Sequence, residues 1–241
     1  GFLRMGTTGF VAQARGAGDA AEVSAHLARA LLIALAAGVV LIAAQSLLWT
    51  AAFALAPASD EVEGLARTYL GIRIWGAPAT IASYALTGWL IAMERTRAVL
   101  VLQLWTNGLN IALSVGFVLG LHWGIAGVAG ATLIAEYAGL AMGLMLCRDA
   151  FRGNAWRDKA RLFEKDKLRR FLSVNSDIMV RSVLLQGAFT TFVFLGAGEG
   201  DVTLAANQVL MQFLEVTAYA LDGFAFAAEA MVGAAVGARA R

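Results

Sequence analysis

The stretch 202–236 constrains the fold more than any other part of this sequence. It reads VTLAANQVLMQFLEVTAYALDGFAFAAEAMVGAAV, which is long and apolar enough to cross a bilayer as a helix, yet it contains Glu215, Asp222 and Glu229. At 100° per residue, these acids and Asn207 lie on one face that covers about a third of the helix. An ionised carboxylate in hydrocarbon costs at least about 2.5 kcal/mol. We therefore expect this face to line a protein interior or a water-filled cavity.

The composition places the chain among membrane proteins with several spans. Hydrophobic residues make up 59% of the sequence and charged residues 15%, whereas soluble domains average about 45–50% and 25%. The single cysteine, Cys147, excludes an intrachain disulfide, and His26 and His122 are too far apart in sequence to form a local metal site. We predict an all-α, polytopic transmembrane helical bundle with no metal site and no cofactor.

The motifs of common enzymes are absent from the sequence. It contains no Walker-type glycine loop, no HExxH and no GxSxG. No nucleophile–base pair or set of metal ligands is visible either. We therefore predict that the chain is not an enzyme and that it has no catalytic residues and no nucleic-acid partner.

Six complete spans are expected to follow a partial first helix at residues 1–15. They are predicted at 22–56, 62–92, 98–120, 125–147, 170–196 and 202–236. Pro78 is expected to kink the second span, because proline removes a backbone N–H and its ring clashes with the preceding turn.

The connections between spans predict the orientation of the bundle. Lys and Arg fall in alternate connections, most densely in the polar loop 148–170. The positive-inside rule assigns these basic connections to the cytoplasmic side of the cell inner membrane. Within the loop, an amphipathic interfacial helix is expected to place apolar side chains toward lipid or protein: Phe151, Trp156, Leu162 and Phe163.

The third span carries three polar residues on one face. Asn107, Asn110 and Ser114 have i, i+3, i+7 spacing. Amide and hydroxyl oxygens are hard ligands that suit a small cation. The same residues also join helices through hydrogen bonds, and the pattern alone leaves both interpretations open.

The fourth span carries Thr132 and Glu136 at i, i+4 spacing. A carboxyl group at mid-span is a candidate proton site, because loss of water favours its neutral form. The alternative is a buried acid paired with a neighbouring arginine such as Arg73, and we favour this second interpretation slightly.

The remaining charged residues lie in the fifth and sixth spans. Asp177 and Arg181, at i, i+4, are expected to pair within their helix as a gating or structural pair. Glu215 and Asp222 are favoured for function. Glu229 lies near the basic end of its span, where it is expected to reach water.

Five stretches of the sequence carry a family resemblance. They read GFLRMGTTGFVAQA, YLGIRIWGAPATIASYALTGWLIAMERTR, NGLNIALSVGFVLGLHWGIAGVAGATLIAEY, NSDIMVRSVLLQ and LAANQVLMQFLEVTAYALDGFAFAAEA. Together they resemble the multidrug and toxic compound extrusion (MATE) family, and within it the DinF-like branch. The resemblance covers nearly the whole chain.

The resemblance implies one part of a twelve-helix transporter with two six-helix lobes. Residues 1–147 would hold the end of helix 2 and helices 3–6, residues 148–170 the basic cytoplasmic inter-lobe loop, and residues 171–241 helices 7–8. Helix 1 and helices 9–12 would lie outside the chain, which then looks like a fragment. Family members exchange Na⁺ or H⁺ for organic, often cationic and amphipathic, compounds across the lipid bilayer, and we expect a monomer.

The resemblance also implies an ion site in the first lobe. Asn110 and Thr132 match two positions of that site. Ser114 stands where related members have an acid, which implies a looser or proton-only site. A further acid on helix 1 would lie outside this chain.

Our main functional hypothesis is cation-coupled export of organic compounds by alternating access. Alternatives are a flippase for lipid-linked or anionic substrates, with Arg73 and Arg181 in its cavity, and a membrane receptor or scaffold that does not transport. The candidates for ion binding or coupling are Asn107, Asn110, Ser114, Thr132 and Glu136. The candidates for the substrate cavity or coupling are Asp177, Arg181, Asn207, Glu215 and Asp222.

Overall fold

The computed structural model describes residues 2–55, 60–197 and 201–239 as a bundle of α-helices. Within these ranges there are ten α-helices and no strand, which confirms the predicted all-α class. The helices are α1 Phe2–Gly16, α2 Ala20–Ala43, α3 Gln45–Leu55, α4 Asp60–Arg73, α5 Ala77–Ala92, α6 Thr96–Val115, α7 Gly124–Leu146, α8 Lys159–Leu162, α9 Lys165–Ala197 and α10 Asp201–Arg239.

The first two predicted spans are each divided between two helices. A break at Ala44 separates α2 from α3, where the sequence predicts one continuous span. A 3₁₀ turn over Ile74–Gly76 separates α4 from α5, and Pro78 lies in the first turn of α5. Proline is tolerated there because the first turn of a helix needs no backbone N–H from it. In place of the expected kink within one helix, the structure has a break between two helices, α4 and α5.

Four helical segments are individually long and apolar enough to cross a membrane. These segments of the described residues are Ala20–Ala43, Thr96–Gly120, Gly124–Leu146 and Ala205–Arg239. They correspond to the first, third, fourth and sixth predicted spans, while α9 corresponds to the fifth.

Helix α1 is the central element of the packing. It contacts α2 and α5 on one side and α9 and α10 on the other. Its side chains Leu3 and Val11 are buried, as are Trp89 and Leu90 of α5. Helices α4 and α5 also pack against α7, and α6 packs mainly on α7. The helices of both predicted lobes therefore meet at α1.

Small residues allow α1 and α10 to approach closely near their C-terminal ends. A Cβ atom added at Gly237 would overlap the carbonyl of Gln13, and one added at Gly16 would overlap the carbonyl of Ala234. Gly233, one turn before Gly237, faces Ala12. Small residues spaced by four are typical of helix pairs that pack closely in membranes.

The loop 148–170 contains short turns and no long interfacial helix, so that prediction is wrong. Its elements before α9 are two 3₁₀ turns and the four-residue α8. Gly153, with a φ of 101°, interrupts any longer helix. Trp156 packs edge-on against Phe151, with ring centroids 5.5 Å apart, and Leu162 is buried against α2, whereas Phe163 is exposed.

Buried charges of α2 hold this loop in place. The Arg29 side chain, only 2% exposed, donates to the carbonyl oxygens of Leu162 at 3.1 Å and Arg161 at 2.9 Å. Glu22 accepts hydrogen bonds from Arg161 at 3.3 Å and Lys167 at 3.0 Å. Charge-assisted hydrogen bonds of this kind are stronger than neutral ones. The loop is therefore docked on α2.

A pair of glycine substitutions tests the contact between α1 and α5. A Cβ at Gly88 would lie 2.5 Å from the carbonyl oxygen of Arg4, whereas one at Gly108 would meet nothing within 4 Å. We expect Gly88→Ala to reduce stability by roughly 1–3 kcal/mol through overpacking. Gly108→Ala should be neutral or stabilising, since alanine is the better helix former. Thermal unfolding in detergent measures both, and equal melting temperatures would contradict the described contact.

Candidate ion and substrate site

A hydrogen bond between α6 and α7 joins two of the predicted ion-site residues. Asn110 Nδ2 donates to Thr132 Oγ1 at 2.8 Å, and Thr132 Oγ1 donates to the Val128 carbonyl at 2.9 Å. Ser114, one turn further along α6, is half-buried, whereas Asn107 is exposed. Asn110 and Thr132 therefore lie together and Asn107 lies apart. With Nδ2 engaged, the Asn110 carbonyl oxygen is the atom that can meet a cation.

Glu136 forms an ion pair with Arg73, which is the arrangement that we favoured slightly over a proton site from the sequence. The guanidinium donates from Nη1 at 2.7 Å and from Nη2 at 2.8 Å to the two carboxylate oxygens. This two-pronged geometry is the strongest form of the arginine–carboxylate contact. Nearby, the Tyr137 hydroxyl donates to the Trp75 carbonyl at 2.8 Å. Together these contacts hold the break between α4 and α5 against α7.

The acidic face of α10 is divided between two environments. Glu215 and Asp222 are exposed, whereas Glu229 is half-buried against α1. Glu229 Oε1 lies 4.0 Å from the Cβ position of Gly9. Glu229 is therefore partly covered by α1 and partly exposed, whereas the other two acids of α10 are exposed.

Arg4 of α1 faces the acids of α10. Its guanidinium lies 3.8 Å from the centroid of the Phe226 ring. Glu229 and Asp222 are near enough to attract it, although neither forms an ion pair with it within 4 Å in the described part of the chain. Arg4 Nη1 is buried and has no hydrogen-bond partner among the described residues. A cation–π contact and nearby charges therefore hold Arg4 in place.

Glu215 and Asn207 lie between α9 and α10. Glu215 lines a cavity of about 470 Å³ whose other lining residues include Gln186, Phe189 and Thr190. Asn207 is half-buried, and its Nδ2 lies 2.7 Å from the Cβ position of Gly196. The predicted face of α10 thus contributes Glu215 to the wall of a cavity that is otherwise mostly apolar.

Asp177 and Arg181 do not form the predicted pair, although both belong to the described part of the chain. Both side chains are exposed along α9, and no ion pair joins them within 4 Å. An exposed i, i+4 pair contributes only about 0.3–0.5 kcal/mol. The entropy of two long, free side chains is enough to offset that gain.

Three charged residues form contacts that their sequence patterns did not predict. Arg4 sits early in an apolar helix, where an arginine requires a partner, and that position was the available signal. Glu22 and Arg29 are seven residues apart on one face of α2, a spacing of two turns. Their partners come from α8 and α9, more than 130 positions away along the chain, and no local pattern identifies them.

Comparison with known proteins identifies the family. The MatE family model matches residues 2–115. Over 247 aligned residues the chain is 43% identical to DNA damage-inducible protein F of Escherichia coli (strain K12), with 99% of this chain and 52% of that protein covered. The chain belongs to the MATE family. This membership confirms the predicted membrane bundle and the prediction that the chain is not an enzyme.

Other relatives agree with this assignment. The chain is 27% identical over 182 residues to the probable multidrug resistance protein NorM of Synechocystis sp., covering 73% of this chain and 39% of that protein. A solved multidrug resistance MATE family transporter of the MOP superfamily, in an outward-facing conformation, matches with a TM-score of 0.82 and 24% identity. That match covers 99% of this chain and 53% of the solved chain, and it shows the fold. The chain spans about half the length of DNA damage-inducible protein F and of this solved transporter.

The Arg73–Glu136 pair yields a stability prediction. The two side chains are only 23% and 15% exposed, whereas the pair Arg67–Glu63 is more exposed and longer, at 3.6 Å. Glu136→Gln leaves a largely buried guanidinium without its countercharge, so we expect a loss of about 3 kcal/mol. The matched change Glu63→Gln should cost at most about 1 kcal/mol. Thermal denaturation in detergent compares them, and equal losses would mean that the pair contributes little to stability.

Proposed function

We propose that this MATE chain is part of a secondary transporter that exports organic, cationic and amphipathic compounds in exchange for H⁺ or Na⁺ by alternating access. The observation that carries the proposal is the contact between α1 and α10, where Arg4 lies on Phe226 beside the acids Glu229 and Asp222. This contact joins a helix of each predicted lobe. The names of the relatives, which include multidrug resistance proteins, agree with it.

The substrate class follows from the chemistry of α10. Glu215 and Asp222 present carboxylates on the exposed part of the helix. Phe226 already binds a planar cation, the Arg4 guanidinium, at 3.8 Å. Aromatic faces and carboxylates together are the usual means of binding an organic cation. A cationic substrate can therefore compete with Arg4 for the same groups.

The same charges can couple ion binding to the movement of the two lobes. Protonation of an acid beside Arg4 removes a negative charge that attracts α1 to α10. Such a change favours one packing of the two lobes over the other, which is how ion binding shifts a two-state transporter. Asn110 and Thr132, with Ser114 one turn away, are our candidates for the second ion-responsive site.

We also propose that the basic connections lie at the cytoplasmic side of the inner membrane and that the complete protein works as a monomer. The flippase alternative needs Arg73 and Arg181 free in a cavity. Arg73 is engaged in two short hydrogen bonds to Glu136, so it is not available for an anionic substrate. The receptor or scaffold alternative predicts that the acids of α10 are dispensable for export.

Drug resistance tests the acids of α10. In cells that depend on the complete protein, we expect Asp222→Asn and Glu215→Gln to lower resistance to cationic dyes at normal protein levels. A tenfold loss of substrate affinity corresponds to about 1.4 kcal/mol, the size of one lost charge contact. Glu61→Gln is the matched control, because Glu61 is an exposed acid in the first turn of α4. If both α10 substitutions are silent, the proposed role of this face is wrong.

Ion dependence tests the contact between α6 and α7. Asn110→Ala removes the hydrogen bond to Thr132, whereas Asn107→Ala changes an exposed amide three residues earlier on the same helix. We expect Asn110→Ala to raise the Na⁺ or H⁺ concentration needed for half-maximal transport in proteoliposomes, and Asn107→Ala to leave it unchanged. An unchanged half-maximal concentration for both ions in Asn110→Ala would show that the contact only joins the helices.

A further inference from the structure

A second cavity, distant from the acids of α10, lies on the basic face of the bundle. It has a volume of about 450 Å³ and is bordered by the ends of α1 and α5, by the start of α2 and by residues of the loop 148–170. Its walls are mostly apolar and include Val23, Met93 and Ala150. None of the residues proposed above for ion or substrate binding lines it. We refer to it as the basic-face cavity.

Three arginines line the basic-face cavity. They are Arg15 in the last turn of α1, Arg95 between α5 and α6, and Arg152 in the loop 148–170. Their side chains are 34%, 36% and 71% exposed, so each retains N–H groups that solvent or a ligand can reach. Arginine has five donors in a fork that suits phosphate and carboxylate groups.

Two carboxylates only partly neutralise these arginines. Asp149, which also lines the cavity, lies 2.7 Å from Arg95 Nη2 and 3.1 Å from Arg152 Nη1. Glu94, just outside it, lies 3.0 Å from Arg15 Nη1. The hydrogen bond from Arg95 holds the pKa of Asp149 below its usual range, so this carboxylate stays ionised at neutral pH. Three guanidinium groups against two carboxylates leave a net positive charge.

A buried donor in the wall of the cavity has no hydrogen-bond partner among the residues that the structure describes. Trp89 is 1% exposed, and its indole Nε1 forms no hydrogen bond with any described residue. A buried indole N–H usually finds an acceptor, and leaving such a group unsatisfied costs about 1–3 kcal/mol. The Arg95 guanidinium lies 5.4 Å from the centroid of the same ring. An acceptor atom of a ligand would satisfy the N–H next to this cation.

The start of α2 adds further donors to the cavity. Ala20 and Ala21 line it, and they occupy the first turn of a 24-residue helix. Amides in a first turn have no carbonyl partner within their own helix. Such amides, together with the positive end of the helix dipole, favour an anion.

We propose that the basic-face cavity binds a phosphate ester. The phosphate oxygens would accept hydrogen bonds from Arg15, Arg95 and Arg152 and from the indole N–H of Trp89. The apolar walls would take the adjoining part of the molecule. Both the headgroup of an anionic phospholipid and a soluble phosphate compound have this chemistry. The proposal does not depend on the transport function proposed above.

Binding to the purified protein in a neutral detergent tests the proposal. Native mass spectrometry counts the bound phosphatidylglycerol molecules, and phosphatidylcholine, which has zero net charge, is the control lipid. Binding of inorganic phosphate is measured as a rise in the melting temperature of the protein. We expect saturable binding of phosphatidylglycerol or of inorganic phosphate. Binding of phosphatidylglycerol alone identifies a lipid headgroup as the ligand, and binding of inorganic phosphate identifies a soluble source.

Matched variants assign the binding to the cavity. Arg152→Gln and Trp89→Phe should each weaken binding of the active probe about tenfold. Arg97→Gln, an exposed arginine two residues from Arg95 that does not line the cavity, should have no effect. The high exposure of Arg152 keeps the test valid even if Trp89→Phe does not fold. Binding of neither probe, equal binding of the two lipids without binding of inorganic phosphate, or full binding by Arg152→Gln would overturn the proposal.

Discussion

The close contact between α1 and α10 is the constraint on which the rest of the structure depends. Gly16 and Gly237 bring the two backbones together where any side chain would overlap a carbonyl group. Toward the N-terminal end of α1, Arg4 contacts Phe226 of α10 and lies near the acids of that helix. Helix α1 is packed equally closely on α5 through Gly88. Any movement of α10 relative to the first lobe must therefore break contacts made by α1.

The buried charges of this bundle serve two different purposes. Arg73 and Glu136 satisfy each other fully and join α4 to α7, and Arg29 holds α8 on α2 through two carbonyl oxygens. These groups stabilise one arrangement. Arg4 is different, because one of its nitrogen atoms is buried without a hydrogen bond to any described residue, and its contacts are to an aromatic ring and to nearby charges. Incomplete pairing of this kind suits a group that changes partners.

Patterns in the sequence predicted the positions of the helices well, but they predicted less well which side chains contact one another. Hydropathy and Pro78 located the helices and the break before α5, and the family resemblance placed Asn110 beside Thr132. Periodicity showed that the acids of α10 share a face, but it could not show that α1 covers Glu229 and leaves Glu215 exposed. The i, i+4 spacing of Asp177 and Arg181 was no guide to pairing, since an exposed pair of this type gains so little. Partners from distant segments, such as Arg4, depend on tertiary packing.

We propose that α1 and α10 meet at the basic face in one state of the transporter and separate there in another. The most direct measurement is the distance between spin labels at Ala17 and Ala238, near the C-terminal ends of the two helices, in the complete protein with Cys147 replaced by Ala. Electron–electron double resonance would follow this distance with pH, Na⁺ and a cationic substrate. We predict a population with a short distance under one condition and a second population with a longer distance when the pH, Na⁺ or substrate concentration is changed. A single short distance under every condition, in a protein that transports, would contradict the claim.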